Sequence, residues 1–256
     1  MQDLRVTLVQ ANQICEDKEA NFSNYTLLLQ GVETDLILLP EMFQTGFSMS
    51  TEFLKETFTE SNSLQWLKDL AKNKNAAIYT SLIIEQEDTV YNRGVFVYPN
   101  GNVRSYDKRK LFCLAEEGKI FTAGGSETIV QYLGWNLQLQ ICYDLRFPEI
   151  VRNRILPNQR AAYDAILYVA NWPSERASHW NVLLKARAVE NQCYVLAANR
   201  VGIDQKNNHY IGDSQLISPL GEEMKLINDI EYIETFVIES SELQLIRKKL
   251  PFLNDK

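Results

Sequence analysis

Apolar residues in this chain recur mostly at every second position, in short runs bounded by turn residues, and less often with helical spacing. The alternation predicts a strand near 4–11, a strand LILLP at 36–40, and the strand pair AAIYTSLIIEQ and TVYNRGVFVYP. Pro99-Asn100-Gly101 then turns the chain back into VRSYDKRKLF, because Asn-Gly supplies the positive φ values of a tight hairpin. Further strands are expected at TIVQYL, LQLQICYD, DAILYVANW, CYVLAANRV, a turn-linked DSQLISPLGEE, and EYIETFVIES. Helical spacing predicts helices over 18–32, near 63–75, over FPEIVRNRI and over HWNVLLKARAVENQ. The end, 241–256, reads as a short helix and an extended tail, with a subunit interface as one expectation for it.

Ten or more strands with helices between them exceed one small open sheet. They suit two packed sheets with helices outside, an α/β fold with a four-layer α-β-β-α sandwich. No Pro/Gly/Ser-rich linker interrupts the pattern, so 1–256 is expected to form a single domain. With 256 residues, 45% of them hydrophobic, one large core is within reach.

Charge and composition narrow the partners. A formal charge of −7 argues against a nucleic-acid binder and leaves small-molecule chemistry. No apolar run reaches the roughly 18–20 residues of a membrane span, and MQDLRVTLVQA lacks the plan of a signal peptide, so a cytoplasmic protein is expected. Cys15, Cys113, Cys142 and Cys193 include no CxxC pair and read as thiols. Two histidines, His179 and His209, without metal-ligand spacing, give no basis for a metal; no cofactor is expected.

Three junctions set a reactive side chain at or near the end of an apolar strand: LILLPE at Glu41, VRSYDKRK at Lys108, and LQLQICYD at Cys142. Alone, each has a plain reading, Cys142 as a core thiol, Glu41 as a loop acid, and Lys108 as part of a solvated charge run. Together, a carboxylate, an ammonium and a thiol at one sheet edge suffice for nucleophilic acyl transfer without histidine. Alternation cannot separate Lys108 from Lys110, which share a face of an extended segment.

LLPEMFQTGF, YDKRKLF, ICYDLRFPE, NWP at 171–173 and RAVENQ at 187–192 together resemble the nitrilase superfamily of carbon–nitrogen hydrolases over nearly the whole chain. The resemblance implies a Glu-Lys-Cys triad on an α-β-β-α sandwich, hence Glu41, Lys108 and Cys142. Its K-x-H-L-F register selects Lys108 as the catalytic lysine, and Lys110 departs from the family by standing at the usual histidine position. It further implies Glu117, rather than its neighbour Glu116, as a second orienting or proton-handling glutamate. The backbone N–H of Tyr143 joins Lys108 as an oxyanion donor, and family members usually form dimers through their helical layers.

CYDLRFPE with ANWP is most similar to the omega-amidase branch, which implies terminal amides of short α-keto acids such as 2-oxoglutaramate. Arg146 or Arg176 would hold the substrate carboxylate, and Phe43, Tyr143 and Trp172 would line the acyl pocket. The plain alternatives are an ion pair of Arg146 with Glu149 or another acid, and ordinary core aromatics. His179 reads as a packing or capping residue, and Arg187, Glu190 and Asn191 as scaffold. Competing functions are an amidase for deaminated glutathione or N-carbamoyl compounds, a nitrilase, a Cys142 hydrolase using His179 or His209, and a binding protein on an inactive scaffold.

Overall fold

The computed structural model describes residues 1–255, and the last position of the expected tail, Lys256, lies outside the described residues. In chain order the elements are β1 (Leu4–Gln10), α1 (Lys18–Leu28), β2 (Leu36–Leu38), α2 (Thr51–Leu54), β3 (Glu56–Thr57), α3 (Asn62–Lys74), β4 (Ala77–Gln86), β5 (Thr89–Val97) and β6 (Val103–Asp107). There follow β7 (Ile129–Tyr132), β8 (Trp135–Ile141), β9 (Ala165–Ala170), α4 (Ala177–Asn191) and β10 (Tyr194–Asn199). The rest are β11 (Val201–Ile203), β12 (His209–Ile211), β13 (Gln215–Ile217), β14 (Glu223–Lys225), β15 (Tyr232–Ile238) and α5 (Ser240–Lys249).

One sheet runs β15-β1-β2-β4-β5-β6, with β3 beside β4, and the second runs β14-β13-β10-β9-β8-β7. Strands β1, β2 and β4 are mutually parallel, as are β8, β9 and β10. Parallel neighbours end on the same side, so the residues that follow them collect along one edge of each sheet.

The period-two pattern divides each strand between two environments. Leu36 and Leu38 of β2, with Ala77 and Tyr79 of β4, share an apolar cluster with Leu137, Leu139 and Ile141 of the opposite sheet. Their alternates Ile37, Leu39 and Ile78 pack instead with Phe22, Tyr25 and Leu29 of the α1 segment and with Leu64, Leu67 and Ala71 of α3. Trp180, Leu184 and Ala188 of α4 join the second sheet's cluster. The layers are therefore α-β-β-α, as the strand count predicts.

Side-chain caps fix the helix starts: Asp17 accepts from the Ala20 N–H before α1 and Ser61 from the Leu64 N–H before α3. α1 stops at Leu28, short of residue 32, because turns at Gln30 and Val32 and a positive φ at Gly31 lead the chain away. FPEIVRNRI forms only a 3-10 turn at Pro148–Ile150. Asn153 diverts it, its N–H donating to Asn191 Oδ1 and its Nδ2 to the carbonyls of Tyr163 and Asn191. The end is also corrected: past α5 the chain makes a 3-10 turn, Phe252–Asp255, rather than an extended tail. Leu253 is buried there against its own chain, its N–H donating to Gln192 Oε1. Among the described residues no helix is long and apolar enough to cross a membrane.

Candidate active site

Glu41, Asn92, Lys108, Glu117, Cys142 and Asn171 converge on one buried cluster. Glu41 follows β2 on a loop tied to the neighbouring strand, where Thr80 Oγ1 donates to the Pro40 carbonyl and the Met42 N–H to Ser81 Oγ. Its carboxylate is fully buried and accepts from Lys108 Nζ at 2.9 Å, Asn92 Nδ2 at 2.8 Å and the Asn171 N–H at 2.9 Å. Its backbone carbonyl takes Asn171 Nδ2 at 2.6 Å and Gln13 Nε2 at 3.0 Å. A glutamate so surrounded has little rotamer freedom.

Lys108 extends the β5–β6 ladder by one residue, its N–H donating to the Asn92 carbonyl. Its ammonium is buried and also lies 3.0 Å from each oxygen of Glu117. Burial disfavours this charge, but Glu117 and Glu41 outweigh it and hold the lysine above its ordinary pKa. Glu117 is buried, held by the Phe112 N–H at 2.6 Å and by Asn92 Nδ2 at 3.3 Å. Its neighbour Glu116 instead pairs with Lys119 at the surface.

β8 ends at Ile141, earlier than the expected LQLQICYD strand, because Cys142 adopts a left-handed φ of 45° and opens a 3-10 turn, Cys142–Arg146. A non-glycine residue there is strained and persists only where its surroundings over-determine it. Asp144 does so: its Oδ2 accepts from the Ile141 N–H at 3.0 Å and from the Tyr106 hydroxyl at 2.8 Å, its Oδ1 from the Lys110 N–H at 2.9 Å. One carboxylate thereby fastens the cysteine turn to the segment carrying the lysine. Burial pushes Asp144 up to about 6, against the hydrogen bonds that favour its charged form.

Cys142 is 9% exposed, and its Sγ lies 3.9 Å from the Asn171 carbonyl. Burial and Glu41 push the thiol well above its ordinary pKa, with Lys108 pulling the other way. Two carboxylates and one ammonium already leave the cluster at −1, so a resting thiolate would add a second uncompensated buried charge. The geometry therefore holds a neutral thiol beside a base.

A cavity of about 270 Å³ opens from Cys142 and Lys108 toward Phe47, Arg176 and the β11–β12 turn. It lies near the lower end of the range for ligand sites, about 300–1,000 Å³, which suits a short substrate. Next to it, Tyr143, Arg146, Trp172 and Arg176 line a pocket that also reaches Cys142. The Arg146 guanidinium lies over the Trp172 ring at 4.7 Å and the Tyr143 ring at 5.8 Å. Arg176 lies over the Phe112 ring at 5.5 Å and makes a loose 3.6 Å pair with the exposed Glu175.

Several expectations are corrected. Phe43 does not line the pocket: it is fully buried in the α1/α3 layer, its ring centroid 5.9 Å from Phe22, 5.5 Å from Tyr25 and 5.4 Å from Trp66. Leaving the strand at Pro40 turns Glu41 toward the site and Phe43 toward the helices. Glu149 pairs with Lys110, not with Arg146, and Lys110 also sits 4.5 Å from the Phe147 ring, outside the buried cluster. His179 does not cap α4; its Nδ1 lies 3.3 Å from both terminal nitrogens of Arg146. Arg187, Glu190 and Asn191 are scaffold contacts, with Arg187 donating to the Leu145 carbonyl at 2.7 Å.

Asn92, Asn171 and Asp144 are the polar partners that reading the sequence for nucleophile, base and cation does not single out. Asn92 had a signal. Pairs on β5 and β6 sit equally far either side of Asn100, as Val97 with Val103 and Arg93 with Asp107, so Asn92 falls opposite Lys108. Asp144 had one too, an acidic residue three places after the last strand residue, as in a helix cap.

The chain is similar to known proteins over most of its length. The carbon-nitrogen hydrolase family model matches residues 5–233. The omega-amidase YafV of Yersinia enterocolitica is 41% identical over 223 residues, 87% of this chain and 84% of the relative. The 2-oxoglutaramate amidase of Bacillus subtilis is 31% identical over 225 residues, 86% and 84% of the two chains. Among solved structures, XC1258 of Xanthomonas campestris, a CN-hydrolase superfamily protein with an arsenic adduct in its active site, superposes with a TM-score of 0.97 at 38% identity. That match covers 100% of this chain and 98% of that one.

Proposed function

This chain belongs to the carbon–nitrogen hydrolase family and is an amidase of the omega-amidase type, and we propose that it hydrolyses the terminal amide of a short α-keto acid of the 2-oxoglutaramate kind. The observation that carries the substrate class is a pair of adjoining pockets that share Cys142, with Arg176 on the wall of both and Arg146 on the wall of the smaller one. A guanidinium fork suits a carboxylate at the far end of the substrate. The names of the YafV and 2-oxoglutaramate amidase relatives point the same way.

In this reading Glu41 takes the Cys142 proton as the sulfur attacks the amide carbon. Lys108 and the Tyr143 N–H hold the oxyanion, and such donors each contribute about 10²–10³ in rate. Glu41 returns the proton to the departing nitrogen, ammonia leaves, and a thioester remains. Water, deprotonated by Glu41, then adds to the thioester carbon, and cleavage of the carbon–sulfur bond releases the carboxylic acid and restores the thiol. Glu117, bonded to Lys108 through both oxygens, keeps the ammonium aimed between the two carboxylates.

The same reading treats residues 1–256 as one hydrolase domain, acting in the cytosol as a homodimer. A core cluster shared by both sheets supports the first expectation, and the exposed Val182 and Val189 on α4 support pairing through a helical layer.

Ammonia release from 2-oxoglutaramate, 2-oxosuccinamate, N-carbamoyl amino acids and simple nitriles tests the substrate class. Turnover is expected to be fastest on the ω-keto amides; faster turnover on a carbamoyl compound or a nitrile would overturn the proposal.

A further inference from the structure

The two terminal nitrogens of Arg146 both face one ring nitrogen, His179 Nδ1, at 3.3 Å. A guanidinium carries only donors, so the partner atom must present a lone pair. A histidine accepting at Nδ1 carries its proton on Nε2 and is neutral. Arg146 is thus fixed in two senses. The Trp172 and Tyr143 rings set which way its plane faces, and His179, on the first turn of α4, sets its rotation within that plane.

Among the described residues no carboxylate pairs with Arg146, since Glu149 is engaged by Lys110. A neutral acceptor orients the guanidinium without cancelling its charge, which an aspartate or glutamate in the same place would do. Arg146 therefore keeps its attraction for an anion in the pocket that ends at Cys142. Arg176, already beside Glu175, is the weaker anchor.

We propose that His179 is a positioning residue for substrate specificity: its Nε2–H tautomer, accepting at Nδ1, aims Arg146 at the carboxylate end of the substrate. This rests on the amidase reading above. It adds that the preference for a carboxylate-bearing amide depends on a lone pair at one atom of a residue that lines neither pocket at Cys142.

The test compares kcat/KM for 2-oxoglutaramate with that for 4-oxopentanamide, in which a methyl group replaces the carboxylate, in the full chain. His179→Leu, which has no acceptor, is expected to lower the ratio of the two about three- to tenfold, mainly through KM for the charged amide. His179→Asn, whose Oδ1 takes the place of Nδ1, is expected to restore most of it, and nitrogen NMR of the wild-type protein to show His179 protonated at Nε2 alone. An unchanged ratio in His179→Leu, no recovery in His179→Asn, or a proton on Nδ1 would each overturn the inference. Wild-type protein without activity on 2-oxoglutaramate would instead overturn the proposed substrate class, and the NMR measurement distinguishes the two failures.

Discussion

The ammonium of Lys108 stands 3.0 Å from both oxygens of Glu117, and both side chains are buried. With Glu41 on the other side of the same ammonium, one cation holds two carboxylates together out of solvent. Breaking such a cluster leaves uncompensated buried charge, which typically costs about 3–5 kcal/mol. Lys108→Met is therefore expected to abolish ammonia release and to destabilise the fold by that order. Adding Glu117→Gln removes one stranded charge and is expected to recover part of the stability but none of the activity. Urea unfolding of both variants checks this; a double variant no more stable than the single one would contradict the charge argument.

Asn92 donates from one Nδ2 to both Glu41 and Glu117 and so fixes their spacing. A hydrogen bond to a charged group contributes about 1.5–3 kcal/mol. Asn92→Ala is expected to lower kcat about 10–100-fold. Asn92→Asp, which sets a third carboxylate against the other two, is expected to be worse than alanine despite its similar shape. Steady-state kinetics on the two variants decides, and an aspartate variant as active as the wild type would rule out the role.

How much of this could be read from the sequence varies with the kind of information needed. The layers follow from period-two alternation with separate partners for each parity, visible in Leu36 and Leu38 against Ile37 and Leu39. Glu41 and Cys142 stand out as reactive residues where an apolar strand gives out, whereas Lys108, inside a charge run, is separated from Lys110 only by the register of the family the chain resembles. Phe43 and the FPEIVRNRI segment were not, because their fates depend on distant contacts, Phe43 on the α1 and α3 side chains and Asn153 on Asn191 and Tyr163. Asp144 lies inside ICYDLRFPE, but its role needs the approach of Tyr106 and Lys110 from the other sheet's edge.

Cys142 is expected to rest as a thiol, since burial and Glu41 raise its pKa and Lys108 only partly opposes them. Thiolate absorbance near 240 nm, taken as the difference between the wild type and Cys142→Ala, should stay flat from neutral pH up to at least the ordinary thiol range, about pH 8.5. Glu41→Gln should leave that resting difference flat at neutral pH while abolishing turnover, because the base acts during attack and not before it. A thiolate signal at pH 7 in the wild-type protein would mean a preformed ion pair with Lys108 instead.

Asp144 gives the fold a pH dependence opposite in sign to that of an ordinary ion-paired carboxylate. Its ordinary pKa is 3.8 and burial raises it to about 6, so the folded state binds a proton that the unfolded state releases between those values. The stability from this group is full below about pH 4 and is lost as pH rises through about 6, a change of about 3 kcal/mol. Asp144→Asn cannot ionise, and its amide meets the Lys110 N–H with a donor where the wild type has an acceptor. The variant should therefore be less stable than the wild type at pH 4, with the gap narrowing by about 3 kcal/mol by pH 7. Urea unfolding at pH 4, 5, 6 and 7 measures the gap directly, and a gap that widens with pH would show that Asp144 is held charged, with its hydrogen bonds prevailing over burial.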